Sequence, residues 1–314
     1  MNADINFIKK MIKKKGIGMA SKYLEEFEKL NTTTESIHDL GDLNVLIILK
    51  DGTNLTSWGD VDDVEDILYI SENLSDYRDL HRKYMGLTSL KAIVAYGVSD
   101  KVTSMDSMFN HCESLRDISS LKDWDVSGVE NLGEMFARCY SLEDISPLKD
   151  WNVSNVKIME FMFCACHSLK DFSPLCDWDI SNVENMWAMF LSCTGLNDLS
   201  GLANWDSSNV KQMKMMFWNC PSLVDLSPLS GWDVSNAHDM RGMFCSCSGL
   251  KDLSGLASWN VSNVDYMDDM FNGCSGLKDC FDLNEWKVSD KTDTDGMFKD
   301  CDSLNEYPKW FSDD

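Results

Sequence analysis

From residue 98 to residue 307 the apolar positions recur every 27 residues, with no insertion or deletion between copies. Trp124, Trp151, Trp178, Trp205, Trp232, Trp259 and Trp286 keep this interval. So do the Met-Phe pairs beginning at Met108, Met135, Met162, Met189, Met216, Met243, Met270 and Met297, and the cysteines Cys112, Cys139, Cys166, Cys193, Cys220, Cys247, Cys274 and Cys301. Self-similarity at one fixed period is the mark of a solenoid, in which a single unit cannot enclose a core but stacked units bury each apolar row against the next. The expected architecture is an α/β leucine-rich-repeat-like solenoid of eight 27-residue repeats. It would be built of short parallel strands and short helices.

Within one copy, the recurring apolar residues are Trp124, Val126, Val129, Leu132, Met135, Phe136, Cys139, Leu142, Ile145 and Leu148. Val129, Leu132, Met135, Phe136 and Cys139 fall at i, i+3, i+6, i+7 and i+10, a spacing that predicts one or two turns of α or 3₁₀ helix. Leu142, Ile145 and Leu148 predict a short extended segment, whose copies would pair as a parallel ladder roughly 4.8 Å apart. The stretch around Ser127 is expected to be extended, with the Ser, and the Asn that follows it in most copies, capping the helix start. Burying each Trp removes some 150–250 Å² from water, on the order of 4–6 kcal/mol gross. The Trp row is therefore expected to be a main beam of the core.

The combination of Val129, Leu132, Met135-Phe136, Cys139, Ser141-Leu142 and Asp144, linked by Trp151, Val153, Ser154, Asn155 and Val156, resembles the BspA-like leucine-rich repeat proteins. The likeness is strongest to the subgroup widespread in mycoplasmas and gut bacteria, and it covers about two-thirds of the chain. The resemblance implies a leucine-rich-repeat solenoid, usually displayed on a cell surface and used in adhesion or other protein contacts, with no catalytic residue to transfer. The lysines at 9, 10, 13, 14 and 15 are followed by Glu25, Glu26 and Glu28 rather than by an apolar run, so no export signal is read. That, with a Cys in every repeat, points to the cytoplasm instead.

The ends differ from the array. Residues 1–85 hold no repeat and are expected to form a small, mainly helical cap domain, with helices over 5–15, 20–30, 61–71 and 75–85 and a strand over 44–50. Residues 86–97 are a junction, where Gly97 stands in place of the Trp and Leu90, Ile93 and Tyr96 sit two residues late in the frame. Residues 308–314 are expected to close the other end, since terminal solenoid units meet water on one face.

Charge narrows the partners. The chain carries a formal −24. Residues 86–314 hold 36 acids against 17 bases. Such a surface repels phosphate backbones and anionic headgroups, so nucleic acid is not an expected partner. Apolar runs such as residues 45–49 are strand-sized, so no membrane insertion is expected.

Three constellations invite chemistry. The eight cysteines in one row lack the paired short spacings with His that zinc needs, and are read as buried reduced thiols. Asp117, Asp144, Asp171, Asp198, Asp225, Asp252 and Asp279 also recur at the period. Neighbouring unit charges about 5 Å apart would repel by roughly 3 kcal/mol at an effective dielectric of 20, so these carboxylates are expected at a solvated edge, accepting backbone N–H bonds. A calcium ladder is the competing reading, without the Gly-rich multi-carboxylate loop that calcium sites use. His111 and His167 each neighbour a row Cys in sequence, but no third orienting group recurs, so catalysis is not expected. No metal and no cofactor are assigned.

Positions fixed in every copy build the scaffold, so recognition must lie where copies differ. Phe161, Trp187, Leu191, Met215 and Trp218 occupy variable positions that are apolar in the central copies, whereas Asp268, Asp269 and Asn272 stand on the same wall near the end. This patch is the candidate contact for a protein partner or a second copy of the chain. The alternative packing folds these side chains back on the neighbouring coil. The expected function is a non-catalytic protein-interaction scaffold. Competing readings are a carbohydrate-binding adhesin and an enzyme whose site lies in residues 1–85.

Overall fold

The structure, a computed structural model, describes residues 45–55, 57–58 and 67–312. Each row of repeated side chains lies in file along one axis. Tyr84 begins a stack that runs through Phe109, Phe136, Phe163, Phe190, Phe217, Phe244 and Phe271 to Phe298, with successive ring centroids 5.5 to 6.0 Å apart. The indoles form a second buried file, 6.3 Å apart at Trp124 and Trp151 and 6.4 Å at Trp151 and Trp178. Between the files pack the repeated Val, Leu, Met and Cys side chains, nearly all without solvent contact. This is a repeat solenoid with one unbroken interior.

Hydrogen bonds set the coil-to-coil register. The indole Nε1–H of each row Trp donates to a carbonyl 29 or 30 residues earlier, as Trp178 does to Leu148 at 3.0 Å. Each row Cys Sγ–H donates to the carbonyl of the stacked aromatic residue in the preceding coil, Tyr84 for Cys112 and a Phe thereafter, as Cys166 does to Phe136 at 3.1 Å. Asn155, Asn182, Asn209, Asn236 and Asn263 donate through Nδ2 to the carbonyl of the Ser 28 residues earlier. These Ser residues have their own N–H held by the preceding Asp or Asn, as Ser181 does on Asp179 at 3.1 Å. The Ser and Asn thus brace neighbouring coils rather than cap a helix.

The wall over 129–139 is not helical. Alternate N–H groups leave the coil: Leu132 donates to Ile158, Glu134 to Glu160, Phe136 to Met162 and Arg138 to Cys164, at 2.7 to 3.0 Å. The intervening ones bond three residues back, Met135 to Leu132 and Cys139 to Phe136. Stacked rings 5.5 to 6.0 Å apart leave no room for helices, whose axes need roughly 8–10 Å. A chain of turns keeps the three-residue spacing of inward side chains and still joins the coils. The parallel bridges lie on this wall, linking Asn131, Ile158, Asn185, Gln212, Asp239 and Tyr266 in succession. The expected strand at 142–148 is instead a 3₁₀ turn, Ser146–Leu148, whose Leu148 N–H bonds Ile145 at 2.9 Å. Pro147 has no N–H to give a ladder.

The stack begins one coil before the eight copies. Strand β1 (Val45–Leu49) pairs antiparallel with β2 (Asn54–Leu55) and with β3 (Ile67–Asn73), and β3 pairs parallel with β4 (Ala92–Tyr96). The sheet order is β2-β1-β3-β4. Two expected helices are corrected here. Residues 67–71 of the first are strand, where β-branched Ile67 and Ile70 and the aromatic Tyr69 suit the pleat. Residues 75–85 are bends and turns that repeat the wall geometry, with Arg82 donating to Asp106 and Tyr84 to Met108, each at 2.9 Å. The expected helices at 5–15 and 20–30, and residues 61–66, lie outside the described residues. The expected strand at 44–50 corresponds to β1.

Both ends of the Phe file are covered. Trp58 lies 6.1 Å from Tyr84. At the far end Phe311 meets Phe298 edge-on at 5.1 Å, and Trp310 stacks on Trp286 at 6.2 Å.

Candidate functional site: the turn wall

Two positions per coil on this wall adopt left-handed backbone. One row is Glu134, Phe161, Ala188, Met215, Gly242 and Asp269, with φ between 53° and 57°. The other is Arg138, Ala165, Ser192, Asn219, Ser246 and Gly273. Left-handed geometry costs a residue with a Cβ about 1–2 kcal/mol. Here it turns the N–H toward the next coil, as at Phe161 to Trp187 (2.8 Å) and Met215 to Arg241 (2.8 Å), and the bond offsets the cost. Because the stack imposes the conformation, residue identity at these positions is free to vary.

The five residues singled out from sequence come together on this wall. The rings of Phe161 and Trp187 meet at 4.8 Å with planes tilted by 58°. Leu191 and Trp218 hold the same position in adjacent coils, and the Ser192 N–H donates to the Trp218 carbonyl at 2.7 Å. Trp218 and Met215 both lie over Gly242, where an added Cβ would meet the Trp218 ring at 3.1 and 3.2 Å. Trp187 is the most open of the five, at 36% exposure, while the other four are half-buried. The patch is therefore partly folded back on its neighbours.

The sequence reading missed three members of this surface. Tyr266, 45% exposed, lies under the Arg241 guanidinium at 4.8 Å, and Lys214 Nζ lies 5.4 Å from the Trp187 ring. Arg241 Nε is held by both oxygens of buried Asp239, at 2.9 and 3.1 Å. Cationic residues scattered among variable positions give no periodic signal. Tyr266 shares the bridge position with Asn131, and comparing that position across copies would have found it.

The wall's borders are charged. Along one edge Lys157 pairs with Glu130 at 2.8 Å, Lys211 with Glu184 at 2.7 Å, and His238 faces Asp265 at 3.3 Å. Toward the C-terminal end, burial and the nearby Asp293 raise the Asp268 carboxyl above the usual carboxylate range.

The other constellations resolve into scaffold. Burial raises every row thiol above its ordinary value, to about 11 at Cys301. Asp144, Asp171, Asp198, Asp225 and Asp252 each accept the N–H of the Ser two residues on, at 2.7 to 3.1 Å. His167 stacks on Tyr140 at 5.2 Å with Nδ1 2.9 Å from the Ser192 carbonyl, and His111 meets Arg138. Among the described residues no three His, Cys, Asp or Glu side chains are placed to hold a metal ion. No helix among them is long and apolar enough to cross a membrane.

The family described as "Mycoplasma protein of unknown function, DUF285" matches three overlapping stretches, residues 78–198, 146–254 and 222–312. The chain belongs to this family. The matched residues take in the whole array, and they bear out the resemblance to BspA-like leucine-rich repeats. A search of the curated proteins finds no match. Similar solved structures include a T. pallidum leucine-rich repeat protein at 17% identity, covering 59% of this chain and 72% of that one with a TM-score of 0.36. They also include a leucine-rich repeat protein from Bacteroides ovatus at 16% identity, covering 87% and 79%, with a TM-score of 0.39.

Proposed function

We propose that this protein is a non-catalytic scaffold that holds a protein partner on the turn wall, through Phe161, Trp187, Leu191, Met215 and Trp218. One observation carries the reading. Positions that build the core are nearly invariant from copy to copy, while these outward positions turn aromatic and aliphatic only in the central coils, where they adjoin one another. Contiguous apolar surface with Trp at its centre is what recognition sites use to anchor a partner. The row of unpaired thiols favours folding in a reducing compartment, because eight thiols exposed together in an unfolded chain would scramble to disulfides elsewhere.

The test is capture from native lysate by the wild type and by a Trp187→Ala/Trp218→Ala double variant of unchanged circular dichroism and melting. A protein retained only by the wild type, and bound when purified, supports the assignment. Identical capture by the two removes it. Sedimentation of both chains shows whether the partner is a second copy.

A further inference from the structure

The patch has carboxylates at both of its ends along the solenoid axis. Glu134 and Glu160 stand before it, and Asp268 and Asp269 after it. Neutral amides partner three of them: Asn110 on Glu134 at 2.6 Å, Asn185 on Glu160 at 2.7 Å, and Asn272 on Asp269 at 2.7 Å. Asp268 Oδ1 has no hydrogen-bond partner. Among the described residues none of the four has a cation within ion-pair distance. Of the cations on the patch itself, Arg241 is bound to Asp239, and Lys214 rests on Trp187. The apolar centre therefore lies between two acidic ends that hold no ion pair, the far one eased only at longer range by Arg241.

Backbone pairing offers a visitor no continuous edge here, because most of the wall's N–H groups are committed to the next coil or to the preceding turn and those of Glu160, Lys214 and Asp268 stand two coils apart. An extended segment could not add as a strand, so recognition must run through side chains, and a helix laid along the wall is the form that presents them. From the coil of Glu134 to that of Asp268 there are five steps of 5.5 to 6.0 Å, roughly 28 Å. A helix of roughly 19 residues spans that distance at about 1.5 Å per residue.

Resting on the scaffold reading above, we infer that the partner presents an amphipathic helix of that length, with an apolar stripe at its middle and Lys or Arg in its first and last turns. The apolar stripe sits on Trp187, Met215 and Trp218, and the terminal cations face the four carboxylates.

Fluorescence anisotropy with a labelled 19-residue helical peptide of this design tests the inference on the full chain. The comparator carries Glu in place of every Lys and Arg. The basic peptide is expected to bind at least about tenfold tighter than the acidic one, with the ratio shrinking as salt is raised. Glu160→Gln with Asp268→Asn is expected to cut the ratio below about threefold, and Trp187→Ala with Trp218→Ala to weaken binding of the basic peptide at least about tenfold. Equal or tighter binding of the acidic peptide, lost in the double Trp variant, overturns the charge assignment while leaving the patch as a docking site. Basic-peptide binding that survives the double Trp variant assigns it to the chain's overall negative charge and overturns the inference. So does failure of both peptides to bind, and the scaffold reading then stands or falls by its own capture experiment.

Discussion

The indole Nε1–H of Trp151 donates to the carbonyl oxygen of Leu121 at 2.8 Å, reaching 30 residues back along the chain. The bond recurs down the Trp row, so each indole both fills the core and ties two coils. Trp151→Phe keeps most of the ring but leaves a buried carbonyl without its donor. The expected cost is about 1–3 kcal/mol in urea unfolding, against about 3–5 kcal/mol for Trp151→Ala, which also opens a cavity. Equal stability of wild type and Trp151→Phe would show that the bond contributes nothing.

Stability should fall steeply in alkali. The row thiols have folded values raised by burial above the ordinary 9.0, to about 11 at Cys301. Below the unfolded value both states hold the proton, and the stability is fully present. Above it the unfolded chain ionises while the folded one does not, so stability is lost as pH rises from about 9 toward the raised values, by up to roughly 1.4 kcal/mol per pH unit for each thiol. Urea midpoints between pH 8 and 11 check this. Replacing three row cysteines by Ala should flatten the slope.

Native-state labelling should divide the thiols. Cys164 and Cys176 are half-buried and should react with a thiol reagent first, while the row members wait for unfolding. Mass spectrometry of a timed reaction reads the order, and early modification of Cys166 or Cys193 would contradict the packing.

Glu72 closes the first coil. Only 4% exposed, it accepts the Tyr84 hydroxyl at 2.7 Å and pairs with Lys83 at 2.8 Å, and Lys83 itself lies 4.6 to 5.7 Å from the rings of Trp58, Tyr77 and Tyr84. Glu72→Ala leaves the half-buried Lys83 ammonium and the buried Tyr84 hydroxyl without their partner, at about 1–3 kcal/mol. Since solenoid coils support only their neighbours, hydrogen exchange should quicken in residues 80–97 well before residues 240–300. Uniform acceleration would mean the array unfolds as one unit.

Much of this fold was legible because burial and period are the same fact in a solenoid. Trp124, Phe136, Cys139 and Leu148 were placed inside by recurrence alone, and the Asp carboxylates at the turns followed from charge repulsion. Local conformation was not legible, because three-residue spacing is shared by a helix and by a chain of turns. The distance between coils decides between them, and it is a property of the stack rather than of one copy. The two-residue offset is visible in sequence at Leu90, Ile93 and Tyr96, but not its extension back to Arg82, which stands 25 residues before Ser107 where later left-handed positions keep 27 and where no Met-Phe pair marks the wall. The contrast between fixed and variable positions found Trp187 and its neighbours. It did not find how far Trp218 leans over Gly242, which depends on a side chain absent from the next coil.

That lean gives a last prediction. Gly242→Ala places a Cβ 3.1 to 3.2 Å from the indole, so the Trp218 ring must give by a few tenths of an ångström toward solvent. A red shift and stronger quenching of its fluorescence relative to a Trp218→Phe control are expected, at a stability cost of about 1 kcal/mol. An unchanged spectrum would place the indole elsewhere.

The backbone, indole and thiol bonds recur between equivalent atoms at every seam between the central coils, so in its core one seam is interchangeable with another. Excising or duplicating 27 residues between Trp124 and Trp286 would rejoin surfaces that already fit, changing the molecule's reach in fixed increments. The recognition face would then shift along its support like a mark on a ruler, and its distance from either end would be a quantity that gene duplication alone can set.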